Sequence, residues 1–96
     1  MIPIVSKEVI LSILKVSIRQ IKAARALLGW SQEDLSKAAG VSSPTIKRLE
    51  ALDGPLRGRA ETGEKIVKAL SSAGVEFLHE NGGGAGVRLS QKKTFS

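Results

Sequence analysis

The sequence predicts an all-α domain, a bundle of four to five helices with room for a short C-terminal β-hairpin. Three observations carry that prediction. Apolar residues recur three and four apart through the middle of the chain, and small polar residues stand where the periodic runs begin. Gly29, Gly40 and Gly74 close those runs, at places where a left-handed conformation ends a helix cheaply.

The elements follow in order. Val9, Ile10, Ile13, Leu14 and Ile18 suit one face of a helix, yet "VILSILKVSI" is β-branched enough for a strand, and periodicity does not choose between them. The first clear helix runs from about Ser17 to Leu28. Ile18, Ile21, Ala24 and Leu28 form its apolar face, Ser17 and Gln20 have capping-box spacing, and Gly29 ends it. Ser31 then caps a second helix with Asp34 at its third position, and Trp30 and Leu35 stand where a hydrophobic staple would hold the chain. A third helix begins after Val41, with Ser42 or Ser43 as cap and Pro44 in the first turn, where a missing N–H costs nothing. "LDGPLRGR" reads as a loop. "ETGEKIVKALSSAG" reads as a fourth helix built on Ile66, Ala69 and Leu70, its first turn weakened by Gly63.

Beyond Gly74 the pattern alternates. "VEFLH" and "GVRLS" are short extended segments on either side of "ENGGGAG", a strand pair that needs helix packing or a partner strand to be stable. Residues 1–16 are therefore expected as an apolar extension, 17–74 as the helical domain, and 75–96 as a strand pair with a basic tail.

Composition narrows the function. Ninety-six residues make one modest domain, without room for a separate ligand sensor, and a net charge of +6 with a pI near 10.1 favours an anionic partner. Without cysteine there are no disulfides, thiol nucleophiles or Cys-based metal sites, and a reducing cytoplasm fits. Lys7, Glu8, Lys15, Arg19 and Lys22 interrupt the apolar N-terminus, so no uncharged run approaches the roughly 20 residues of a bilayer span, and no membrane partner is expected.

The stretch "WSQEDLSKAAGVSSPTIKRLEA" carries the functional signal. Two helices joined by a turn of about three residues containing glycine make the helix-turn-helix geometry, in which the second helix enters the DNA major groove. Ser36 supplies a small side chain where the helices cross, and Leu35, Ala39, Val41, Ile46 and Leu49 form the hub that sets the angle. A helix tip aimed at a groove needs short side chains with hydroxyls for phosphates or base edges, which Ser42, Ser43 and Thr45 provide. Lys47 and Arg48 lie further along, and Arg48 is the best candidate for bidentate recognition of guanine.

"SQEDLSKAAGVSSPTIKRLE" resembles the helix-turn-helix of the phage repressor and Cro-like, or Xre-type, regulators, and the resemblance extends from about Ile18 to Gly74. It implies a lambda-repressor-like fold of about five helices that binds operator DNA, double-stranded, as a symmetric homodimer. By the same resemblance Gln32 bonds phosphate and braces the recognition helix, Ser42, Ser43, Thr45 and Arg48 reach bases or backbone, and Arg25 and Glu50 form an internal salt bridge. Pro44 departs from the polar residues usual at its place, which removes one hydrogen-bonding reader. Members of the family act as repressors, restriction controllers or antitoxins, so a protein partner such as a toxin is the rival to DNA.

Other features have two readings. Arg57 and Arg59 either grip phosphates flanking the half-site or belong to a solvated basic loop. Arg88, Lys92 and Lys93 either add non-specific attraction for DNA or simply solubilise the end of the chain. His79, the only histidine, has scattered carboxylates near it and reads as a surface residue. "GGGAG" lacks the spacing and lysine of a phosphate-binding loop. With no thiol, no tyrosine and one histidine, no catalytic constellation, cofactor site or metal site is expected.

Overall fold

The computed structural model describes residues 16–80 and 82–90. The choice between helix and strand for Val9 to Leu14, and the role of Lys92 and Lys93, lie outside those residues.

Local capping chemistry sets the helix boundaries. α1 (Ile18–Leu28) starts from a complete capping box, with Ser17 Oγ accepting from the Gln20 N–H at 3.2 Å and Gln20 Oε1 accepting from the Ser17 N–H at 2.8 Å. It stops at Gly29, φ 69°. α2 (Gln32–Ala39) repeats the device with Ser31 and Asp34, at 3.0 and 2.9 Å, and stops at Gly40, also φ 69°. α3 (Ser43–Ala51) takes Ser42 as its cap, which decides between the two candidate serines, and carries Pro44 in its first turn. α4 (Ala60–Ser72) begins one residue earlier than the sequence suggests, has Arg59 in the cap position without a side-chain bond, and tolerates a buried Gly63.

α1, α2, α3 and α4 surround one core. Ile18, Ile21 and Ala24 of α1 meet Leu35 of α2, Ile46 and Leu49 of α3, and Ile66 and Leu70 of α4, with Val41 in the turn between α2 and α3. Each large aliphatic side chain buried there contributes about 1.5–3 kcal/mol. Trp30 packs partly buried against this core. Val16, in the stretch that suits either a helix or a strand, and Leu56, in the loop after α3, are also buried. They are joined by the Leu56 N–H to the Val16 carbonyl at 2.9 Å, next to the Ile18 N–H bonded to the Gly54 carbonyl at 2.9 Å. The loop after α3 is thereby pinned to the start of α1.

β1 (Val75–Leu78) and β2 (Gly86–Leu89) pair antiparallel, Val75 opposite Leu89 through Leu78 opposite Gly86. Phe77 and Val87 pack against the core. Gln20 supplies the attachment that a lone hairpin lacks, since its Nε2 donates to the carbonyls of Leu78 at 3.2 Å and Gly86 at 2.9 Å. Among the described residues no helix is long and apolar enough to cross a membrane.

Candidate nucleic-acid interface

The bend between α2 and α3 is held by one side chain and two backbone bonds. The Ser36 carbonyl accepts the N–H groups of Gly40 at 2.9 Å and Val41 at 3.2 Å, and Ser36 Oγ donates to the Val41 carbonyl at 2.6 Å. Serine here is small enough for the crossing and also satisfies a carbonyl of the turn.

A buried polar network fixes the tilt of α3. Glu50, 4% exposed, accepts from Arg25 Nε at 2.8 Å, from Arg25 Nη2 at 2.7 Å and from Gln32 Nε2 at 2.9 Å, while Arg25 Nη1 donates to the Trp30 carbonyl at 2.9 Å. Burial pushes the Glu50 carboxyl up, but the bonds from Arg25 and Gln32, with the charges of Arg25 and Lys22, outweigh it and hold the group below the ordinary carboxylate range. Its bond to Glu50 raises Arg25 above its ordinary value. Three elements thus converge on one carboxylate. The Arg25–Glu50 pair stands as the resemblance implies, and Gln32 braces α3 through Glu50.

The other candidate residues divide into two groups. Ser42, Pro44, Lys47 and Arg48 are exposed on α3, and Ser43 and Thr45 are half-buried. Ser42 and Thr45 share a hydroxyl–hydroxyl bond of 2.8 Å, and Ser43 Oγ donates to Glu33 Oε1 at 3.1 Å, so Ser43 is tied back to α2. Thr45 and Arg48 then share one open cleft with Arg57, Gly58 and Arg59 of the following loop. Lys47, Arg48, Arg57 and Arg59 take part in no ion pair among the described residues. Their charge is uncompensated on a surface that also presents hydroxyls at a helix start, the chemistry that binds phosphate and base edges.

Sequence reasoning missed the anchoring of that loop. Arg19 Nε and Nη2 each reach the Asp53 carboxylate at 3.1 Å, and this bond, with the Gly54 N–H, holds the Asp53 carboxyl low. Opposite charges 34 positions apart carry no local signal. His79 is exposed just past β1.

No curated protein matches the chain. The helix-turn-helix family model HTH_3 matches residues 21–73, more than half of the chain and the whole of α2, the turn and α3. The chain therefore belongs to the helix-turn-helix family of Xre-type, lambda-repressor-like DNA-binding regulators.

Proposed function

We propose that the protein is a cytoplasmic, sequence-specific transcriptional regulator, a repressor or autoregulator that occupies operator DNA as a homodimer. The observation that carries this reading is the cleft where Thr45 and Arg48 of α3 meet Arg57 and Arg59. A base-reading arginine and two phosphate-reaching arginines there share one surface. Arg48 enters the major groove and discriminates guanine, while Ser42 and Thr45 approach the backbone at the helix tip. Arg57 and Arg59 contact flanking phosphates. One recognition helix reads few base pairs, so specificity requires two copies about one DNA turn apart.

Selection of bound sequences from random duplexes tests the proposal. Two inverted half-sites are expected, with affinity falling steeply as salt rises. If no sequence is enriched and binding is insensitive to salt, the surface serves another partner, of which a toxin protein is the rival.

A further inference from the structure

The tip of α3 is bonded to α2 in one direction only. Ser43, the first residue of α3 and half-buried, donates its hydroxyl proton to Glu33 Oε1 at 3.1 Å. A hydroxyl has one proton and two lone pairs, and an ionised carboxylate has no proton to return. With its proton committed, Ser43 Oγ can only accept from a third group. Pro44, next along and exposed, has neither an N–H nor a polar side chain, so it supplies no donor there.

Among the described residues Glu33 takes part in no ion pair, and its side chain bonds only Ser43. A carboxylate in the first turn of α2 suits the helix dipole, but Asp34 already stands there, bonded to the cap residue Ser31. On a face with the uncompensated charges of Lys47, Arg48, Arg57 and Arg59, an acid also lowers the attraction for every phosphate alike. What Glu33 adds locally is a direction for the Ser43 hydroxyl.

We infer that Glu33 is a positioning residue for base recognition, which by taking the Ser43 proton makes the tip of α3 an acceptor that selects cytosine. Residues at the N-terminus of a recognition helix face base edges. In the major groove cytosine presents the N4 donor, adenine a donor beside its N7 acceptor, and guanine and thymine only acceptors. Ser43 Oγ therefore accepts from cytosine N4, takes adenine second, and meets guanine or thymine lone pair to lone pair. Arg48, a pure donor, reads guanine at a separate position further along α3. The inference rests on the operator reading and adds the base that the helix tip takes.

The test is binding of the wild-type chain, Glu33→Gln, Ser43→Ala and the double variant to the selected operator and its single-base variants, followed by fluorescence anisotropy. Wild type is expected to favour cytosine over guanine and thymine by about tenfold at one position in each half-site, other than the one that Arg48→Ala relaxes. Glu33→Gln keeps the shape, but its amide can donate to Ser43 and free the hydroxyl to donate outward. The cytosine preference should then shrink to about twofold or less, while the guanine preference set by Arg48 stays. Ser43→Ala should lose the cytosine preference too, and adding Glu33→Gln to it should change nothing more at that position. A cytosine preference intact in Glu33→Gln would overturn the inference. So would a uniform gain on all duplexes, the mark of a charge removed, or a lower melting temperature with base preference kept, the mark of a brace between α2 and α3. An effect of Glu33→Gln that persists without the Ser43 hydroxyl would overturn the route through Ser43. Enriched half-sites with no cytosine-selective position would remove this inference alone, whereas no enriched sequence at all would remove the operator reading and this inference with it.

Discussion

Arg25 and Glu50 meet fork to carboxylate, with Nε to Oε2 at 2.8 Å and Nη2 to Oε1 at 2.7 Å, across the space between α1 and α3. The third guanidinium nitrogen holds the Trp30 carbonyl, so the pair also fixes the turn from α1 into α2. Bidentate geometry restricts direction as well as distance. The recognition helix is thus aimed by a polar bond beneath it as much as by the aliphatic hub.

Removing the carboxylate should cost stability before it changes sequence preference. Glu50→Ala leaves Arg25 mostly buried without its partner and is expected to lower unfolding stability by about 3–5 kcal/mol. Thermal unfolding measures the loss. Below the transition the folded fraction should prefer the same bases, since Glu50 is covered by its own domain. An unchanged melting temperature would show that the pair does not hold α3.

The same carboxylate makes stability depend on pH. Its folded pKa lies below the ordinary value, so its contribution is fully present above an unfolded pKa of about 4.3 and is lost as pH falls through the folded value. Asp34, held low by its backbone and side-chain bonds with Ser31, and Asp53, held low by Arg19, act in the same direction but are exposed and add little. Denaturant midpoints should be level above about pH 5 and decline below about pH 4. Glu50→Gln should lower the plateau and flatten the decline, so that the two curves approach each other in acid. Parallel curves would assign the acid sensitivity to other carboxylates.

Gln20 has two jobs that substitution can separate. Its oxygen completes the cap of α1 and its amide holds the Leu78 and Gly86 carbonyls. Gln20→Glu keeps the acceptor for the Ser17 N–H and aims a carboxylate at two carbonyl oxygens, whereas Gln20→Ala loses both functions. Hydrogen exchange at neutral pH should show the hairpin amides loosened in both variants, with the first turn of α1 loosened only in Gln20→Ala. The alanine variant should lose about 1–3 kcal/mol overall. Full hairpin protection in both would mean that Phe77 and Val87 packing suffices.

How far each feature could be read from the sequence follows the range of the interactions behind it. Ser17, Ser31, Gly29 and Gly40 act within four residues, and their roles were legible in the spacing alone. The hub residues Leu35, Ile46 and Leu49 were legible from helical period. Leu56 was not, because a lone apolar residue in an irregular segment looks the same whether it is buried or exposed, and Val16 was not, because "VILSILKVSI" suits a helix or a strand and the two bury different residues. Gln20 announced its cap but not its grip on a hairpin 58 and 66 positions away. Ser43 looked like a free hydroxyl until Glu33, ten residues earlier, folded against it.

The cleft between α3 and the loop that follows it separates reading from gripping. Arg48 on the recognition helix is expected to discriminate one base pair, so Arg48→Ala should relax preference at a single position in each half-site by about 1–3 kcal/mol. Arg57 and Arg59, if they contact phosphate, bind without regard to sequence. Arg57→Ala should therefore weaken all duplexes alike and reduce the slope of log affinity against log salt by about 1. Fluorescence anisotropy over a salt series, on matched and mismatched duplexes, gives both quantities at once. An unchanged slope in Arg57→Ala would make the loop arginines solvated bystanders, and a uniform loss in Arg48→Ala would move base reading to the hydroxyls of Ser42 and Thr45.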